Sequence, residues 1–124
     1  MKLKQIDTIL MVQNIDVSKR FYSEILKLEN LHDWGAMVVY KDRLALHQVD
    51  LLQPIEETGN FVQAGVQGRA NVVIYLQSDN LDDCFTFMKS AGVSIVHEII
   101  TLPWERIFRA YDPDGYVLEI GEPH

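Results

Sequence analysis

From Thr8 to Leu28 the chain reads TILMVQNIDVSKRFYSEILKL. An apolar run, Ile9–Val12, gives way to polar Gln13 and Asn14. Apolar residues then return at helical spacing, at Val17, Phe21, Ile25 and Leu28, so the segment reads as strand, polar corner and helix. The same succession recurs in YLQSDNLDDCFTFMKSAG, Tyr75 to Gly92, with a stripe at Leu81, Cys84, Phe85 and Met88 and Gly92 as a natural stop. Asn14 or Asp16 is expected to cap the first helix, and Asn80 or Asp79 the second, because short polar side chains accept from free backbone N–H groups. A shift of 66 residues sets Asn14 on Asn80, Ile15 on Leu81, Asp16 on Asp82 and Phe21 on Phe87.

Strand-type sequence follows each helix, near 29–34, 36–41 and 44–49 in the first half and near 94–101, 106–112 and 116–121 in the second. Asp42–His47 matches Asp114–Glu119 at a shift of 72. Each half therefore reads β-α-β-β-β. The predicted fold class is α+β, two such modules over about 3–50 and 70–122. The stretch from about Leu51 to Ala70, with Gly59, Gly65 and Gly68, joins them as a surface connector. Neither half looks large enough to bury a core alone, so a single domain of 1–124 is expected.

Composition narrows the class. The 124 residues are 48% hydrophobic, enough for a real core. No apolar run is long enough to span a membrane, and MKLKQIDTIL lacks the features of a signal peptide. One cysteine, Cys84, cannot form an internal disulfide and reads as helix packing, and a cytoplasmic protein is expected. Eighteen acids against 11 bases give a formal charge of −7 with no basic patch, which argues against nucleic-acid binding and mildly favours a cationic ligand. No nucleophile elbow, phosphate loop, dinucleotide fingerprint or paired CxxC occurs.

The polar positions within the strands carry the candidate chemistry. Strand side chains alternate between faces, so Glu119 lies with Val117 and Gly121, and His47 with Ala45 and Val49. The shift of 66 pairs Asp7 with Val73, and Tyr75 and Gln77 share the Val73 face. If the two sheets curl around a common hollow, Glu119 is expected to meet His47 there, with Asp7 nearby.

The closing run DPDGYVLEIGE resembles the end signature of the vicinal-oxygen-chelate superfamily, and VQNIDVSKRFYSEIL resembles its first-module signature. That superfamily includes glyoxalase I, extradiol dioxygenases and bleomycin-binding proteins. The resemblance spans nearly the whole chain. It implies a curved mixed-sheet cup built from paired modules, and a homodimer. It also implies metal ligands from module strands, matching Asp7, His47, Val73 and Glu119. Glu119 falls on the usual carboxylate ligand and His47 on a position that carries Glu or His. Val73 departs, since an alkyl group cannot ligate, and Lys27 replaces the Leu-Gly that follows the first helix.

Two functional expectations follow. In the first, Asp7, His47 and Glu119 hold a divalent metal (Mn, Fe, Ni or Zn) that polarises a small oxygenated metabolite. Glu119 and His47 are then the catalytic groups of a lyase, isomerase or dioxygenase. In the second, the protein is a metal-free binder of a drug-like or cationic small molecule. Tyr75, Gln77, Trp104 and Arg106 are the expected ligand contacts in either case, Arg106 for an anionic group. His97 and Glu98 point to opposite strand faces and do not form a helical metal motif. His32 reads as strand surface and His124 as tail.

Overall fold

The computed structural model describes residues 1–49, 68 and 72–123. Most of the expected connector and His124 lie outside the described residues. The chain divides into two compact units, Met1–Gln67 and Gly68–His124.

In the first unit, β1 (Thr8–Val12) leads into α1 (Ile15–Lys19), which continues as π-helical turns over Arg20–Ile25. Then come β2 (Asn30–Asp33), β3 (Met37–Tyr40) and β4 (Leu44–Gln48). The sheet order is β1-β4-β3-β2, with β1 parallel to β4 and the other pairs antiparallel. The second unit repeats this plan. It has β5 (Val73–Gln77), α2 (Leu81–Ser90), β6 (Ser94–Thr101), β7 (Arg106–Tyr111) and β8 (Val117–Gly121), in sheet order β5-β8-β7-β6. The mixed pairing follows from connection length. Tight turns join antiparallel neighbours, whereas the parallel pairs are separated by a helix-bearing crossover.

One face of each sheet lies under its helix. Leu10, Val12, Val38, Tyr40 and Leu46 are buried there in the first unit, and Phe108, Ala110, Leu118 and Ile120 in the second. Tyr22 of the helical segment packs on Tyr40 with ring centroids 6.2 Å apart, and Phe85 of α2 meets Phe108 edge-on at 5.1 Å. The helical stripe of the first unit differs from the sequence expectation. Ile15, Ser18, Phe21 and Tyr22 are its buried residues, while Val17 is half exposed. The wider π-helical turns, with Leu26 N–H donating to the Phe21 carbonyl at 2.9 Å, rotate the later residues away from a 3.6-residue stripe.

Both helices start on the expected asparagines. Asn14 Oδ1 accepts from the backbone N–H of Asp16 and Val17 at 3.0 and 3.2 Å, and Asn80 Oδ1 from that of Asp83 at 3.1 Å. The ends differ. Gly92 takes φ +82° after α2, whereas the corresponding reversal in the first unit falls on Lys27, at φ +59°. The replacement of the Leu-Gly pair by Lys27 thus places an L side chain in the left-handed region.

The DPDG turn is organised by Asp112, a buried carboxylate. Its Oδ1 accepts from the N–H of Asp114 at 2.9 Å and of Tyr116 at 2.8 Å. That turn sets the register of β7 on β8.

The strand register corrects the repeat. Ile9 pairs with Ala45 and Val73 with Val117, and Ala45 and Val117 are equivalent at the shift of 72. The residue matching Val73 is therefore Ile9, at a shift of 64, and Asp7 lies just before β1. Helix caps and strands are offset by two residues between the units. The parity of the faces survives because two is the strand period.

Candidate functional site

The helix-free face of the second sheet carries a polar row running across all four strands. Tyr75 of β5 pairs with Glu119 of β8, Glu119 with Arg109 of β7, and Arg109 with His97 of β6. Cross-strand partners share a face, so register alone aligns these four side chains. Glu119 Oε1 accepts from Arg109 Nε at 2.9 Å and lies 2.9 Å from Nη2. The Glu119 side chain is 23% exposed and that of Arg109 36%. The carboxylate in the apolar run of β8 is thus neutralised by its cross-strand guanidinium.

Arg109 Nη1 lies 3.1 Å from His97 Nε2, and His97 Nδ1 lies 2.7 Å from the Glu98 carbonyl oxygen. Arginine can only donate and a carbonyl can only accept. The imidazole is therefore neutral, with its proton on Nδ1, and it orients the guanidinium. Glu119 Oε2 makes no hydrogen bond to any described residue and remains an open acceptor beside Tyr75.

A second cluster adjoins the row. Tyr75 O–H donates to Glu105 Oε2 at 2.7 Å, and Gln77 Nε2 donates to the Tyr75 oxygen at 3.0 Å. The Gln77 bond pulls the Tyr75 phenol down. Desolvation and the neighbouring Glu105 and Glu119 carboxylates outweigh it, and the phenol lies above its ordinary value. Gly121 makes room for this cluster, since a Cβ there would fall on the Glu105 carboxylate and 3.0 Å from the Tyr75 oxygen. Val73, Ile100 and Tyr111 surround these polar groups on the same face, each partly exposed.

The remaining expected contacts fall elsewhere. Trp104 is 63% exposed in the turn between β6 and β7, where the Leu102 N–H donates to the Glu105 carbonyl at 2.8 Å. Arg106 lies on the helix side of β7. Its Nε donates to Glu122 Oε1 at 2.9 Å, and its Nη2 to Asp82 Oδ2 at 3.0 Å. Hydrogen bonds from Glu122 and then Asp82 raise the guanidinium further above its ordinary value, and Arg106 holds both carboxyls below theirs. An anionic ligand at Arg106 would have to displace two carboxylates. Asp7 and His47 both lie in the first unit. Thr8, next to Asp7, is three strand residues from Met11, the cross-strand partner of His47, or about 10 Å of strand rise. His47 itself sits between Met11 and Met37 on the helix-free face of β4.

Arg109 and His97 are the residues that sequence reasoning missed as a site. Arg109 was within reach, because a hairpin closing through the Asp112 turn pairs position 109 with 119. His97 was not, because β6 carries register shifts on both sides of it.

Two four-stranded mixed sheets, each with a helical crossover, define the glyoxalase/bleomycin-resistance α+β fold. Residues 5–124 match the family described as a glyoxalase-like domain, and the chain belongs to that family. Among solved structures it is similar to a protein of unknown function from Agrobacterium tumefaciens str. C58, at 29% identity and TM-score 0.85, covering 100% of this chain and 97% of that one. It shares its fold with a glyoxalase/bleomycin resistance protein/dioxygenase from Nocardioides, at 18% identity and TM-score 0.76, covering 98% and 84% of the two chains. It also shares its fold with a lactoylglutathione lyase from Agrobacterium tumefaciens, at 20% identity and TM-score 0.73, covering 98% and 95%. No curated protein sequence matches the chain. Among the described residues no helix is long and apolar enough to cross a membrane.

Proteins of this superfamily often bind a metal. The residues present here do not fit the expected three-ligand set. Asp7 and His47 are separated along the sheet, and Glu119 Oε1 is already engaged by the Arg109 guanidinium. Among the described residues no group of three or more His, Cys, Asp or Glu is placed to hold a metal ion.

Proposed function

We propose that the protein binds a small organic molecule on the helix-free face of its second sheet without a divalent metal. The observation that carries this reading is the Arg109–Glu119 ion pair, with His97 behind it. It puts a guanidinium where a metal-binding relative would need an open carboxylate. The row offers Glu119 Oε2 as acceptor, the unused N–H groups of Arg109 as donors, and Tyr75, Val73, Tyr111 and Ile100 as apolar surface. Glu119, Glu105 and Arg109 sum to one negative charge, which favours a ligand that is cationic or rich in hydrogen-bond donors. Gln77 and Trp104 remain proposed contacts at the edges of this face, and the cytoplasm the proposed compartment. Two copies of the chain are proposed to associate, as members of the superfamily often do.

A thermal-shift screen of cationic and donor-bearing compounds tests the reading. Ligands at about 100 times their dissociation constant should stabilise the protein by about 2.7 kcal/mol. The shift should persist in chelator and disappear in Glu119→Ala, which removes the acceptor and the net negative charge of the row. A shift abolished by chelator and restored by Mn²⁺, Fe²⁺, Ni²⁺ or Zn²⁺ would instead establish the metal-assisted lyase, isomerase or dioxygenase reading.

A further inference from the structure

The polar row of the second sheet is only half occupied by its own ion pair. Arg109 Nε and Nη2 both lie 2.9 Å from the same oxygen, Glu119 Oε1. The pair therefore does not close as a fork on both carboxylate oxygens, and Oε2 stays open. On the guanidinium, Nη1 directs one N–H at His97, 3.1 Å away, so at least one N–H on each of Nη1 and Nη2 has no partner among the described residues. An open anionic acceptor and open cationic donors thus stand side by side, each partly exposed. The next row along the same strands is apolar. Val73 pairs with Val117 and Val117 with Tyr111, two residues from Tyr75, Glu119 and Arg109, and so about 7 Å away on the same face. Val117 is buried, while Val73 and Tyr111 are partly exposed. In the opposite direction along β5 and β8 lie Gln77 and Gly121, with the Glu105 carboxylate above the glycine.

We infer that this face recognises an α-amino acid with an apolar side chain. Its ammonium meets Glu119 Oε2, its carboxylate meets the open N–H groups of Arg109, and its side chain lies on Val73, Val117 and Tyr111. The inference rests on the small-molecule reading above and narrows the ligand to a zwitterion. A ligand lying over the row covers both charges at once. A plain amine would leave the Arg109 donors desolvated and unpaired. A plain acid would leave Oε2 in that state and would also meet the repulsion of Glu119 and Glu105. Each such stranded group costs at least about tenfold in affinity. An ammonium and a carboxylate on one carbon sit close together, as do the acceptor and donors of a contacting ion pair. A zwitterion therefore satisfies both without parting Arg109 from Glu119. The third substituent of that carbon is then free to reach the neighbouring apolar row, where a branched or aromatic side chain removes more surface from water than a methyl group does.

Isothermal titration calorimetry in the presence of EDTA tests the inference. Leucine and phenylalanine are compared with their amines, isoamylamine and 2-phenylethylamine, with their deaminated acids, 4-methylpentanoate and 3-phenylpropanoate, and with glycine. Each amino acid should bind at least about tenfold more tightly than its amine, its acid or glycine. In Arg109→Gln the amines should bind at least as tightly as in the parent, which reports an intact fold, and the preference for the amino acids over them should vanish. Glu119→Gln should weaken amino acids and amines alike while the acids gain. The comparison of ligands on the parent decides alone should Arg109→Gln fail to fold. Amines that match the amino acids in the parent, a preference that survives Arg109→Gln, or glycine binding as tightly as leucine would overturn the inference. Compounds of the thermal-shift screen that bind through Glu119 while neither amino acid does would also overturn it, yet leave the small-molecule reading standing. If no compound of either set binds, both fall.

Discussion

At Lys27 a single dihedral angle records a departure from the family pattern. The reversal after a helix calls for φ > 0, and the second unit meets it with Gly92 at +82°. The first unit meets it with a lysine at +59°, where the Cβ crowds the backbone. Lys27→Gly should therefore raise stability by about 0.5–1 kcal/mol, even after the greater freedom of glycine in the unfolded chain is counted. The urea midpoint should rise with an unchanged m-value; a fall would mean that the lysine side chain contributes more than its backbone costs. The substitution itself was visible in the sequence, but its consequence needed the dihedral. Glu119 follows the same logic. Its cost in an apolar strand was legible, and so was its need for a partner. Arg109 could have been reached by counting back through the Asp112 turn. The neutral tautomer of His97 could not, since it depends on a distance to the next carbonyl.

Among the elements, α2 is tied to the sheet through Arg106, which spans Asp82 at the helix start and Glu122 just after β8. Arg106 lowers both carboxyls from their ordinary values near about 4. The clamp therefore contributes its stability fully above that value, and the contribution is lost as pH falls through the lower folded values. The contribution is modest, because the pair members are partly exposed and screened. A variant with Asp82→Asn and Glu122→Gln should differ from the parent in urea midpoint near pH 6 and converge with it near pH 2; a constant gap across that range would assign the difference to packing. The six strands after the helices fell within a residue or so of their expected bounds because turns and alternation are local signals. The buried stripe of the first helix was misjudged because π-helical turns alter the period on which such a stripe is read.

Across the whole chain, two compact units of the same β-α-β-β-β plan account for the match to the glyoxalase-like family over residues 5–124. That architecture was legible because it is written twice, and the second writing checks the first. The relation of the opening strands was less so, since a single shift of 66 had to serve both a helix cap and a strand, and the two differ by two residues. The proposed association of two copies is tested by sedimentation equilibrium, which should return twice the chain mass at micromolar concentration; a single-chain mass there would reject it.

The shared lattice of the two sheets has one further consequence. Positions 11, 47 and 37 occupy the same places in one sheet as 75, 119 and 109 in the other, and all six side chains project from the face that does not hold the helix. Each half thus presents three interchangeable sockets whose contents vary without disturbing the packed side behind them. Duplication gives the chain two independent palettes on one frame, a charged one and a sulfur-rich one, and either can be repainted by three substitutions.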